Sequence, residues 1–210
     1  MAVICNISVS LDGFAAGPNQ SLENPVGEGG MRLHEWMFQT ASWREMQGQE
    51  GGERTPDSDV IDEFSRNVGA YIMGRKMFGG GDGEWDLSWK GWWGDDPPYH
   101  TPVFVLTHHA RESLPMGGGT TFHFVNDGID AALQKARQAA GDKDIAIAGG
   151  ASTVQQFIRA GELDQLHLHV VPVILGAGER LLKNVGDPKF EIEMVTGSPS
   201  VTHIKYRISR

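Results

Sequence analysis

Residues 144–178, DIAIAGGASTVQQFIRAGELDQLHLHVVPVILGAG, narrow the folds open to this chain more than any other stretch. They read as strand, glycine turn, helix, strand and loop, an alternation that belongs to the α/β class. Ile145 to Ala148 is a short apolar run ending at Gly149-Gly150. The pattern predicts a helix capped by Ser152 or Thr153, with Val154, Phe157 and Ile158 at i, i+3 and i+4. Gly161 is placed to stop it, because glycine enters the left-handed region without a Cβ penalty. Gln165 to Leu175 follows as a β-branched run. Two glycines between a buried strand and a helix start let a bulky anion approach the backbone, where free N–H groups and the helix dipole favour phosphate. A tight turn with no ligand would use the same residues, and this segment alone decides neither reading.

The remaining chain supplies more strand ends. Val3 to Leu11 alternates, which predicts a core strand with Val3, Cys5, Ile7, Val9 and Leu11 on one face. Its exit, Asp12-Gly13-Phe14, is turn-rich, and ligands in α/β sheets sit at strand ends, so Ser10, Asp12 and Gly13 are candidates to line a cleft. Asp12 is a candidate catalytic carboxyl there. Met31 to Met46 has the spacing of one amphipathic helix, carrying Trp36 and Trp43. Asp57 or Ser58 is expected to cap a helix running to about Asn67, with Asp59 in its first turn, where the dipole favours a carboxylate. The strand Ala70–Met73 then meets Gly74-Arg75-Lys76, a second potential phosphate cradle in which Arg75 can bond an anion with two N–H groups.

Gly79 to Pro102 has no period, yet holds Trp85, Trp89, Trp92 and Trp93. A loop that long is usually functional or disordered, and four tryptophans argue against disorder. They would wall a pocket or bury against a second subunit. Val103 to Leu106 forms a strand that ends in Thr107-His108-His109-Ala110-Arg111, and hydroxyl, imidazole and guanidinium together suit a phosphate monoester. Thr120 to Val125, a helix over Gly128–Ala140 behind Asp127, and a closing hairpin about Gly197-Ser198-Pro199 complete the pattern. His167 and His169 share a strand face, but no third ligand is near in sequence, so cross-strand hydrogen bonding is the expected use and no metal is expected.

A net charge of −9 argues against nucleic-acid or anionic-membrane partners. One cysteine, Cys5, excludes an intrachain disulfide and fits a reducing compartment. With no signal-like start and no apolar run of membrane-spanning length, the expected location is cytoplasmic.

Four motifs, in order, carry a resemblance: SLDGFAAG at 10–17, YIMGRKMF at 71–78, VFVLTHHAR at 103–111 and IAIAGGASTVQQFIRAGELDQLHLHVVPVILGAG at 145–178. Together they resemble the dihydrofolate-reductase-like superfamily, and within it the family of the carboxy-terminal reductase domain of the bifunctional riboflavin-biosynthesis deaminase/reductase. The resemblance implies one domain over residues 1–210, with insertions at about 19–57 and 79–102. Its fold would be a three-layer sandwich, a mainly parallel sheet flanked by helices and completed by a C-terminal antiparallel hairpin. It also implies NADPH across the strand ends. Gly149 and Gly150 with Ala151, Ser152 and Thr153 match the pyrophosphate site, and Gly74, Arg75 and Lys76 a second phosphate-contacting corner. Thr107, His108 and Arg111 match the region of the adenosine 2′-phosphate, and Ser10 to Gly13 the nicotinamide end. Asp59 roughly matches the folate reductases' protonating carboxylate, although some forty residues intervene where those enzymes have a short loop. The implied activity is reduction of a small conjugated heterocycle, pyrimidine or pterin-like, as in 5-amino-6-(5-phosphoribosylamino)uracil reduction, by a homodimer. A folate reductase proper and a nucleotide-binding module without turnover are the alternatives.

Overall fold

The computed structural model describes residues 1–209. In chain order the elements are β1 (Val3–Ser10), β2 (Phe14–Ala16), two single 3-10 turns (Gly30–Leu33 and Glu35–Met37), α1 (Ala41–Met46) and α2 (Pro56–Ser65). Next come β3 (Val68–Gly74), α3 (Arg75–Phe78), β4 (Pro102–Leu106), β5 (Leu114–Pro115), a 3-10 turn (Gly117–Gly119) and β6 (Thr121–Val125). The chain continues with α4 (Gly128–Ala140), β7 (Asp144–Gly149), α5 (Ala151–Ala160) and β8 (Gln165–Val171). It ends with β9 (Glu179–Arg180), β10 (Lys189–Gly197) and β11 (Thr202–Ser209).

Nine strands form one sheet in the order β10-β11-β8-β1-β7-β3-β4-β6-β5. The run from β8 to β6 is parallel throughout, and the β10–β11 hairpin closes one side antiparallel. Parallel strands need crossover helices, which cover both faces of the sheet. β1 shows the result: Val3, Cys5 and Val9 pack with Leu133 of α4 and Phe157 of α5, while Ile4 packs on the other side with Phe64 of α2. The predicted one-sided strand is thus buried on both faces, and Leu11 lies beyond its end, 60% exposed.

Local chemistry moved several boundaries. α2 starts at Pro56, whose fixed φ and missing N–H suit a first helical position, and Thr55 stands at its N-cap with its backbone N–H donating to the Ser58 hydroxyl at 3.4 Å. Asp57 and Ser58 are therefore inside the helix. α5 begins at Ala151 behind an extended Gly150, so Ser152 and Thr153 occupy its first turn instead of capping it. Gly161 ends α5 in the left-handed region, as expected. β8 stops at Val171, because Pro172 has no N–H to continue the ladder.

The single helix expected over Met31–Met46 is instead two 3-10 turns and the short α1. Thr40 breaks it: its backbone is extended and its hydroxyl accepts from the Trp43 N–H at 3.2 Å, making a fresh N-cap. This segment still buries Leu33 and Trp36 against Ile61, Val171 and Val201, on the sheet face that α2 also covers. No helix among the described residues is long and apolar enough to cross a membrane.

Candidate active site

Four carboxyl ends, those of β1, β7, β3 and β4, lie side by side on one edge of the sheet. At about 4.8 Å per strand the row spans roughly 14 Å. Every cofactor-binding residue expected from sequence sits at one of these ends, although they come from four distant parts of the chain.

At the β1 end, buried Ser10 accepts from the Phe14 N–H at 3.0 Å, and Gly13 turns the chain at φ 82°. Asp12 accepts the N–H groups of Leu175 at 3.1 Å and Gly176 at 2.7 Å, which ties the β1 exit to the β8 exit. Hydrogen bonding by the Ser10 side chain first, then those two amides, pulls the Asp12 carboxyl down to about 2. A carboxyl held ionised in this way is an anchor, not a proton donor at neutral pH. Arg180 donates to the Asp12 carbonyl at 3.0 Å and stacks over Phe14, beside a cleft of about 370 Å³.

β7 delivers Gly149 and Gly150, joined by a cis peptide, to the start of α5. A Cβ built at Gly150 would have no heavy atom within 4 Å, so the turn faces open space beside the start of the helix, where the Ala151 and Ser152 N–H groups precede the first helical bond, from the Thr153 N–H to the Gly150 carbonyl at 3.0 Å. Ala151 and Thr153 are buried there and Ser152 is exposed. Gly74, at the adjoining β3 end, is packed hard against this helix start: its Cβ would lie 2.5 Å from Thr153 Oγ1. Lys76 is exposed and lines a second cleft, of about 340 Å³, opposite Gly17 to Gln20.

Arg75 runs the other way, toward β4. Its Nε donates to the Gly81 carbonyl at 2.8 Å, its guanidinium carbon is 3.7 Å from the Trp85 ring centroid, and both Nη atoms are buried without a partner among the described residues. Thr107 closes a local turn by accepting the His109 N–H at 3.1 Å, and His108 is exposed beside it. Arg111 donates to the carbonyls of Trp89 at 2.7 Å and Leu87 at 3.3 Å, leaving Nη1 buried and unpartnered among the described residues. Orphaned guanidinium nitrogens are costly, and an anion is the group that satisfies them. The tryptophans are anchored: the indoles of Trp85, Trp89 and Trp92 donate to the carbonyls of His109, Phe78 and Met77.

On the α2 face, Asp59 is exposed and forms no ion pair among the described residues, whereas Asp57, two residues earlier, faces the sheet. The His203 Nε2 donates to Asp57 Oδ1 at 2.9 Å, His203 and His169 share a hydrogen bond at 2.6 Å, and His169 reaches Asn6. Trp36 lies against both imidazoles and donates to Ser8. His169 thus spends both nitrogens on cross-strand bonding. Asp57, His203 and Asn6 were not legible as partners, since the pairs are 146 and 163 residues apart and no local spacing marks them.

A family model described as the RibD C-terminal domain matches residues 1–204. An uncharacterized Bacillus subtilis protein, YyaP, is 27% identical, the match covering 97% of this chain and 93% of that protein. Among solved structures, a putative riboflavin biosynthesis protein from Shewanella superposes over all of both chains at 23% identity, with a TM-score of 0.64. Dihydrofolate reductase from Enterococcus faecalis, solved with NADP(H), matches over 100% of this chain and 97% of its own at 10% identity, with a TM-score of 0.54. The fold is therefore dihydrofolate-reductase-like.

Proposed function

The chain belongs to the RibD C-terminal domain family, and on that premise we propose that it is an NADPH-dependent reductase of a small conjugated heterocycle, pyrimidine or pterin-like. The observation that carries this reading is the single row of strand ends, with an open Gly150 turn in the middle and the unpartnered Arg75 and Arg111 nitrogens to one side. The residues fit a phosphorylated dinucleotide. The first turn of α5, from Ala151 to Thr153, and the Gly149-Gly150 backbone would hold its pyrophosphate. Arg75 and Arg111, with Thr107 and His108 beside them, would hold a 2′-phosphate, and Ser10 to Gly13 would border the nicotinamide, with Gly74 and Lys76 between the two ends.

The bound cofactor supplies the hydride. The protein's part is to fix the reacting faces and exclude water. Asp12 serves as the fixed link between the loops that follow β1 and β8. The reading includes a homodimer, for which support comes from Ile192 and Val195, 64% and 58% exposed on the outermost strand β10.

The test is loss of NADPH absorbance with a panel of pyrimidines, pterins and dihydrofolate. Turnover of a pyrimidine or pterin is the expected result. Turnover of dihydrofolate alone makes the protein a folate reductase, and binding without oxidation of NADPH by any substrate makes it a nucleotide-binding module. A protein that binds no dinucleotide defeats the proposal.

A further inference from the structure

Trp85 stands at the centre of the cationic corner without belonging to any strand end. Its ring lies 3.7 Å from the Arg75 guanidinium carbon and 5.0 Å from that of Arg111, so one indole serves two cations. The ring is itself immobilised. Its N–H donates to the His109 carbonyl at 2.9 Å, and it packs edge-on against Phe78 at 5.8 Å and Phe124 at 5.0 Å. Three parts of the fold therefore meet on this side chain: α3, the β4 exit and β6.

The consequence is an unusual guanidinium. Arg75 is only 9% exposed, its Nε is spent on Gly81, and its Nη1 and Nη2 have no partner among the described residues. The charges of Asp82 and Glu84 act on Arg75 and that of Asp86 on Arg111, but none of the three bonds a guanidinium nitrogen: Glu84 pairs with His109 at 3.2 Å and Asp86 accepts from Ser88. An arginine stacked on an aromatic face, with its outer fork free, is shaped for two parallel bonds to a tetrahedral oxyanion. The free nitrogens are shielded from solvent, and Gly79, Gly80 and Gly81, all at positive φ, begin the loop that carries Trp85.

We propose that Trp85 is a positioning residue that sets the preference for a 2′-phosphorylated dinucleotide, by holding the Arg75 and Arg111 guanidinium groups ready for the phosphate. This rests on the reductase reading of the same site. A tryptophan that merely fills space would affect stability, and both dinucleotides equally. A positioning tryptophan acts only on the ligand that carries the extra phosphate.

The experiment measures dissociation constants of NADPH and NADH by calorimetry for wild type, Trp85→Leu and Trp85→Phe, each checked for folding by thermal melt. Wild type should prefer NADPH. Trp85→Leu should weaken NADPH by about tenfold or more while changing NADH less than about twofold, and Trp85→Phe, which keeps a ring face, should recover most of the loss. Equal weakening of both dinucleotides, or of neither, overturns the assignment and leaves the reductase reading standing. Wild type that binds neither overturns both.

Should Trp85→Leu fail to fold, the wild-type protein still decides. The Trp85 indole N–H resonance should shift on titration with 2′-AMP and stay in place with 5′-AMP. An indifferent resonance, or equal shifts with both nucleotides, refutes the role.

Discussion

Two glycines at neighbouring strand ends make opposite predictions when a side chain is added. Gly150 faces open space, so Gly150→Val should fold and melt near wild type while NADPH affinity falls by at least roughly tenfold, because the branched side chain takes the pyrophosphate's place. Gly74 faces Thr153 Oγ1, whose β-branched side chain has little freedom in a helix. Gly74→Ala should therefore cost about 1–3 kcal/mol, lowering the melting midpoint by about 2–4 °C for each kcal/mol. Calorimetry paired with thermal melts reads both, and a folded Gly150→Val that binds normally removes the glycine turn from the site. Both glycines stood out in the sequence because they punctuate strand ends. Their difference did not, since it depends on which atoms lie opposite. Asp57 and Asp59 teach the same lesson: two carboxylates in one helical turn look equivalent until the sheet behind them shows that only Asp57 faces His203.

At the scale of elements, β8 carries a pH dependence. Burial, and then the charge of Lys205, pushes the His167 imidazole down to about 4 against an opposing pull from Glu63. Burial first, then the charges of His203, His167 and His34, lowers His169 well below its usual value. Both are neutral in the fold, whereas the unfolded chain takes up these protons near pH 6.5. The unfolded state then binds more protons, so the contribution to stability is fully present above about pH 6.5 and is lost as pH falls toward 4. Urea midpoints should drop over that window, and His167→Gln should flatten the drop. A midpoint independent of pH between 7 and 4 would show that these imidazoles are not held neutral. The elements that sequence periodicity placed well, such as α4 and the terminal hairpin, are those whose apolar spacing agrees with the packing around them. The segment 31–46 had the spacing but also Thr40, whose side chain offers the backbone a competing hydrogen bond, and capping prevailed over periodicity.

For the whole molecule, the proposed binding site exists only when β1, β7, β3 and β4 stand in order. NADPH at a hundred times its dissociation constant should stabilise the protein by about 2.7 kcal/mol, a rise of roughly 5–10 °C in melting temperature, and Gly150→Val should show no such rise. The four motifs are legible in the sequence because each is a local strand-to-turn signal, and the fold gathers their strand ends along one side of the sheet. The tryptophan loop did not declare its use, since its rings are placed by carbonyls and cations from other elements. The position of β1 has one more consequence, this time for synthesis. It lies between β7 and β8, with Val3 opposite Ile145 and Ile4 opposite Gln165, so its partners are made about 140 and 160 residues after it. At about 5–20 residues per second, β1 spends roughly 7–30 s with apolar side chains on both sides before these partners are made. Translational pauses before residue 171 prolong that exposure.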